Sequence, residues 1–425
     1  MQSCGSITVY VVTISNMQSE LFKYVLFTLC FKTILMNDVC EMNTNRCEPV
    51  KYRYVFYDIN PPEGFNLRRD VYMRFAIFVH KLKQTNLSNF KLVLPPWIRL
   101  YHWNKQESVQ IPWSHFFDLN SLKQFAPVIE MYDFFNEINV KYSKIKIDQV
   151  YILQHYKEMF DTGKFEDKMQ IEKCATKPKT NFYFYNNITS DSIKCLSFHG
   201  QASHLKKVLE ESNAQTILFD HAEVALHDHF GNDIYWKARR SMRFNKELKK
   251  LAADFRQKYL NSSDQADGTM LPEDWQKETG KRAAKGGPYL SVHLRRRDFA
   301  LGRPNDVPSI HEAASQITKL LQQLSLRIVF IATDSTIQEY TKLEGLLSTY
   351  KVYRFLPVEP LTDGAVAVID QIICSHAQFF VGTHESTFTF RIQEEREIMG
   401  FPEHTTFNRL CGNRCEKPSV WKIVY

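Results

Sequence analysis

Residues 378–399 read QFFVGTHESTFTFRIQEEREIM. A short apolar run of strand-forming residues stops at Gly382-Thr383, and a helical stretch starts directly after Ser386. Strand, tight turn and helix in that order form the repeating unit of a parallel α/β sheet. Working back toward the N-terminus, the same rhythm recurs. The spacing predicts an apolar helix at 365–376, a strand at 351–355, a helix ending at 348, and a strand at 326–333 (LRIVFIAT). A helix at 308–324 and a strand at 288–294 (PYLSVHL) precede them. This is a doubly wound domain of about 120 residues.

A second α/β opening lies far upstream. Residues 51–60 (KYRYVFYDIN) read as a strand closed by the turn Pro61-Pro62-Glu63-Gly64. Asn66 is the expected N-cap of an amphipathic helix at 67–82, and KLVL at 91–94 is the next strand, stopped by Pro95-Pro96. The middle is mixed, with helices expected at 148–168 and 235–260. The polar stretch 261–287 is expected to be a hinge. The chain therefore divides into an N-terminal extension (1–50), an N-terminal Rossmann-like domain (51–280) and a C-terminal Rossmann-like domain with its tail (281–425). The two domains are expected to face each other across a cleft.

The chain has 425 residues, 44% hydrophobic and 24% charged, which excludes a mainly disordered or polytopic membrane protein. The net charge of +7 is dispersed along the chain, so no nucleic-acid partner is expected. The apolar run Tyr24–Phe31 is too short to span a bilayer, which takes about 20 residues, and fits the core of a signal peptide that starts at Met17. No stable membrane span is expected elsewhere. Lumenal export would let the cysteines pair: the spacings Cys174/Cys195 and Cys411/Cys415 both allow bridges, Cys40 and Cys47 could pair, and Cys374 reads as a buried thiol. Asn86, Asn187 and Asn261 stand in glycosylation sequons that suit the same route.

In open α/β sheets the ligand sits beyond the C-terminal strand ends. After the first strand comes Glu63, a carboxylate held in a Pro/Gly turn. After residue 294 comes a cluster of cations, Arg295 to Arg297, beside His293. After residue 381 comes the helix start at Thr387, whose free amides suit a phosphate. Arg295 facing that helix start would hold a diphosphate, because its planar fork can bind two oxygens. The sequence contains no P-loop, no G-x-G-x-x-G and no D-x-D triplet, so no metal is expected at the site. His221, His227, Asp228 and His229 look like a metal cluster, but His-x-His on a helix points its rings apart. Trp97, Trp103 and Trp113 read as core and cleft lining.

Taken together, YDINPPEGFNLRRDVYMRFA, LPPWIRLYHW, IPWSHFFDL, LHDHFG, YWKARRSM, HLRRRDF and VGTHESTFTFRIQEERE resemble the GDP-fucose protein O-fucosyltransferases that modify thrombospondin type 1 repeats. The likeness runs from about residue 51 to 425. It implies a GT-B fold and residence in the endoplasmic reticulum lumen. It also implies inverting transfer of fucose from GDP-fucose to Ser or Thr of a folded repeat, by a monomer that requires no cofactor. By that resemblance Glu63 is the base, and Pro62, Glu63, Gly64, Phe65, Asn66, His293, Leu294, Arg295, Asp370, Thr387 and Phe388 contact the donor. Glu395 matches a residue needed for activity, and Cys174–Cys195 and Cys411–Cys415 match the family's bridges. A related fucosyltransferase acting on EGF-like repeats, or a non-catalytic binding protein, are the alternatives.

Overall fold

The computed structural model describes residues 51–425 except 62, 99, 101–102, 104–108, 139–144, 165, 184, 411 and 413–421. The expected signal segment, Pro62 and the Cys411–Cys415 bridge lie outside the described residues. Residues 52–425 form one compact unit.

Its first layer grows from Arg53–Tyr57 (β1), where Val55 pairs with Leu92 on one side and Ile217 on the other. The remaining strands are Phe90–Leu94 (β2), Val128–Glu130 (β3), Gln149–Gln154 (β4), Lys168–Glu172 (β5), Ile193–His199 (β6) and Thr216–Asp220 (β7). The sheet order is β3-β2-β1-β7-β4-β6-β5, parallel except for the β5 edge. The expected helix at 148–168 is instead β4 followed by a short helix, Lys157–Thr162. QVYILQ is rich in strand formers, and its parallel neighbours β7 and β6 cover both of its edges. Cys174 is bonded to Cys195 of β6, tying the loop after β5 back to the sheet.

The second layer contains Gly287–Leu294 (β8), Ile328–Thr333 (β9), Lys351–Tyr353 (β10), Ala377–Thr383 (β11) and Thr406–Leu410 (β12). Its order, β10-β9-β8-β11-β12, is wholly parallel. That is the doubly wound arrangement, with its switch point between β8 and β11. The strands read as apolar runs because both faces are covered by helices.

Five helices position the site: Phe65–Leu82 (α1), Asp233–Ser241 (α2), Lys246–Leu260 (α3), Asp363–Ser375 (α4) and Thr387–Met399 (α5). The expected single helix at 235–260 is broken into α2 and α3, and Asn245 caps α3 by accepting from the Leu248 amide at 2.8 Å. Although α3 precedes residue 280, it packs on the second sheet, with Phe255 against Phe330 and Phe355. The stretch 261–287 is mostly exposed but carries buried residues. Trp275 is buried, and Arg240 lies over its ring.

Helix α1 is buried almost all round because it is shared between the two layers. One face lies on the first sheet. The other carries Asn66, Arg69, Asp70 and Met73, spaced to form one stripe, toward α4 and α5. Arg69 Nη1 donates to Gln371 of α4 at 2.8 Å, and Arg391 of α5 reaches Asp70 at 3.4 Å. Gly364 at the start of α4 meets Trp103 and Phe116 so closely that a Cβ there would lie 2.5 Å from the Trp103 ring. Among the described residues no helix is long and apolar enough to cross a membrane.

Candidate active site

The chain leaves β1 through Asp58-Ile59-Asn60 and turns tightly, with the Glu63 amide donating to the Asn60 carbonyl at 3.0 Å. Glu63 is half-buried at the end of this turn, at the C-terminal edge of the first sheet. Gly64 is the N-cap of α1, two residues ahead of the expected cap at Asn66. Asn66 is inside the helix, where its Oδ1 accepts from Gln371 Nε2 at 2.9 Å and Arg69 Nη1 at 3.2 Å. This contact joins the Glu63 turn to the helix that carries Asp370. Phe65 is buried among Trp97, Trp103, Phe116 and Phe117, with ring centroids 4.7–6.2 Å away, so its side chain anchors the turn.

At the switch point of the second sheet, His293 and Arg295 leave β8 beside the end of β11. The Arg295 amide donates to Thr383 Oγ1 at 2.9 Å, and that hydroxyl donates to the His293 carbonyl at 3.0 Å. The His293 ring stacks on Phe388 with centroids 4.3 Å apart and bonds through Nδ1 to Thr389 at 2.8 Å. Burial, helped by the nearby Arg295 charge, pushes the imidazole down to about 3, so it is neutral at physiological pH. The Leu294 side chain is fully buried in the sheet, which leaves only its backbone for a ligand.

The Arg295 guanidinium is almost buried and pairs with Asp298 at 2.5 Å and with Asp334. Its neighbours have other work: Arg296 is held by Glu339 at 2.7 Å, and Arg297 Nε donates to the Asp334 carbonyl at 2.9 Å. Arg295 and Arg296 are thus tied to carboxylates, whereas Arg297 is exposed.

Thr387 opens α5 exposed, after Ser386, whose side chain makes no capping bond. The first-turn amides of a helix have no internal partner and suit an anion. Gly382 lets β11 pass close beneath this helix: a Cβ there would lie 2.6 Å from the Thr389 side chain. Asp370 Oδ1 is buried without a hydrogen-bond partner, and burial pushes its carboxyl up to about 8. An orphaned acceptor beside the Asn66–Gln371 bridge fits a ligand that brings N–H donors.

Glu395 stands eight residues into α5, about 12 Å along the axis from Thr387. It accepts from Arg239 at 3.0 Å, and Arg239 also holds the fully buried Glu394 at 2.6 Å. Burial alone would raise Glu395, but Arg239 and Arg243 outweigh it and hold the carboxyl low. Its place is in the wiring of α2 to α5. His227 bonds Asp70 at 3.1 Å, and Asp228 pairs with Lys81, so that segment serves the layer contact. No group of metal-ligating side chains occurs among the described residues. Asn86 and Asn261 are exposed, and Asn187 is half-buried in a strand. Cys374 is buried and free.

Several residues of the site carry no sequence signal of their own. Thr383 bridges β8 and β11, and Gln371 bridges the layers. Arg68 donates to the carbonyls of Pro61, Glu63 and Ile98. A hint lies in LRRD, three charged residues inside the otherwise apolar pattern of α1.

The sequence profile of the GDP-fucose protein O-fucosyltransferases matches residues 54–399. The chain is 46% identical over 406 residues to GDP-fucose protein O-fucosyltransferase 2 of Caenorhabditis elegans, covering 91% of this chain and 94% of that one. It is 45% identical over 394 residues to the Homo sapiens protein of the same name, covering 88% and 90%. The fold also resembles the crystal structure of POFUT1 in complex with GDP-fucose. That match has a TM-score of 0.55 and 16% identity, and covers 86% of this chain and 99% of the other. The two doubly wound layers are thus those of a GT-B glycosyltransferase, and the chain belongs to the GDP-fucose protein O-fucosyltransferase family.

Proposed function

We propose that this protein transfers fucose from GDP-fucose, with inversion at the anomeric carbon, to a Ser or Thr hydroxyl of a folded thrombospondin type 1 repeat. It does so as a monomer in the lumen of the endoplasmic reticulum. The observation that carries the reading is Glu63 on a clamped turn at a strand end, in a chain 46% identical to a protein O-fucosyltransferase 2. The repeat as acceptor and the lumenal location are supported by the motif resemblance and by the N-terminal apolar run.

A Ser or Thr hydroxyl is a weak nucleophile until its proton is taken. The Glu63 carboxylate accepts that proton as the oxygen attacks the anomeric carbon. One base on the acceptor side, without a second nucleophilic carboxylate, gives a single displacement and inversion. The C–O bond to the diphosphate breaks, and the negative charge collects on GDP. Arg295 and the first-turn amides of α5 meet that charge, so the reaction requires no metal. The diphosphate competes with Asp298 and Asp334 for the Arg295 fork. Asp370 accepts from the N–H donors of the guanine edge, and His293 stays neutral and packed on Phe388.

The test incubates the purified chain with GDP-fucose and three acceptors: a folded thrombospondin repeat, the same repeat reduced, and a folded EGF-like repeat. Mass and the anomeric NMR signal are read. The proposal expects one deoxyhexose, α-linked, on the folded thrombospondin repeat alone. Transfer to the EGF-like repeat instead makes it the other fucosyltransferase. No transfer to any acceptor, with GDP still bound, makes it a binding protein.

A further inference from the structure

The geometry points to Arg68 as the positioning residue of the Glu63 turn, an inference that rests on the reading of Glu63 as the base. Arg68 leaves the first turn of α1 and is 8% exposed. Its Nε donates to the Glu63 carbonyl at 2.9 Å, its Nη2 to the Pro61 carbonyl at 3.0 Å and its Nη1 to the Ile98 carbonyl at 3.3 Å. One planar fork thus grips the backbone on both sides of residue 62 and ties it to the loop after β2. On the opposite flank Glu223 accepts from the Asn60 amide at 3.2 Å. The turn is therefore held at its start by Glu223 and at its end by Arg68.

Arg68 makes no ion pair within 4.0 Å among the described residues, and burial lowers the affinity of its guanidinium for its proton, against the more distant pull of Asp58, Glu63 and Glu223. A buried cation that spends its donors on three main-chain carbonyls is an expensive way to fold a turn. Apolar packing could have filled the place, but the packing beside Arg68, under the end of β1, is incomplete. A cavity of about 20 Å³, wide enough for one water, is lined by Arg68, Tyr57, Trp97 and Trp113 among others. The Tyr57 hydroxyl and Trp97 Nε1, both buried, have no hydrogen-bond partner. The Phe65 ring anchors the helix end of the turn, and the Arg68 bonds fix the main chain that carries Glu63. Lysine cannot replace the fork, because a single ammonium on a flexible stem does not span three carbonyls.

The experiment measures kcat, GDP affinity and melting temperature for Arg68→Met and Arg68→Lys, each alone and combined with Glu63→Gln. Methionine keeps the buried stem and removes the donors. The inference expects Arg68→Met to lower kcat about 100-fold, the usual effect of displacing a reacting group by about 1 Å. GDP affinity should stay within about threefold, and Arg68→Lys should recover part of the rate. Because Arg68 acts through Glu63, the double variant should be no slower than Glu63→Gln alone. Losses that multiply, GDP affinity that falls in step with kcat, or Arg68→Met at the parental rate while Glu63→Gln is inactive would each overturn the inference. Glu63→Gln at the parental rate overturns the base assignment itself. If Arg68→Met does not fold, Arg68→Lys is read against the same outcomes.

Discussion

Asp370 makes the proposed donor site sensitive to pH in a calculable way. The residue is half-buried, its Oδ1 is buried without a partner, and burial pushes the carboxyl up to about 8. At neutral pH the unliganded group is therefore mostly protonated. Two guanine N–H donors are best met by an ionised carboxylate, so donor binding must release the proton. Each pH unit below 8 costs the bound state about 1.36 kcal/mol. Affinity for GDP-fucose should rise about 50-fold from pH 6 to pH 8 and then level off. At pH 7 binding should release about 0.9 proton. GDP-fucose is the right probe because its diphosphate is a diester and does not titrate in this window, and His293, at about 3, does not either. Calorimetry at pH 7 in two buffers of different ionisation enthalpy reads the released proton directly. Asp370→Asn should bind more weakly and lose the pH slope. It should also raise the melting temperature of the ligand-free protein by ~2 °C or more. The folded-state value lies above the unfolded one, so the aspartate's contribution turns unfavourable as pH rises from about 4 to 8. Flat affinity between pH 6 and 8, or an unchanged slope in Asp370→Asn, refutes the reasoning.

Glu394 is a fully buried carboxylate in the contact between α2 and α5. It is bonded by Tyr235 at 2.6 Å, Arg239 at 2.6 Å and Arg391 at 3.0 Å. Glu394→Ala leaves Arg239 with Glu395 alone and Arg391 with Asp70 alone, both buried, and should cost about 3–5 kcal/mol. For a body of roughly 370 residues that is ~4–6 °C of melting temperature by differential scanning calorimetry, and a shift under 1 °C contradicts it. Arg295→Ala should weaken GDP binding and lower kcat together, and parental kinetics would remove Arg295 from the diphosphate role. Transfer activity should survive EDTA, whereas complete loss restored by Mn²⁺ contradicts charge stabilisation by Arg295 and α5.

The second sheet was the more legible of the two. β8, β9 and β11 are apolar runs covered on both faces, and Ser309 and Thr336 carry capping boxes, so helix starts could be read within a residue or two. In the first layer QVYILQ was absorbed into an expected helix, because a six-residue apolar run carries no period long enough to separate strand from helix. The positions of Glu63, His293, Arg295 and Thr387, at strand ends and at the helix start after β11, were legible, because ligands in this architecture lie at strand ends. Asn66, Arg69 and Asp70 were not legible as structural residues. Their partners Gln371 and Arg391 lie about 300 residues away in sequence, and no local pattern announces a buried contact between two layers. Trp275 was not legible as a core residue for the same reason: the stretch is polar in composition, yet its one large ring is buried against Phe125.

The central claim is that Glu63 takes the acceptor proton and that its carboxylate is not what holds GDP. The most direct measurement is fucose transfer to a folded thrombospondin repeat by Glu63→Ala, paired with calorimetric GDP binding on the same preparation. The account predicts transfer reduced to background with GDP affinity near the parental value. Transfer that persists, or GDP binding lost in proportion to transfer, would contradict it.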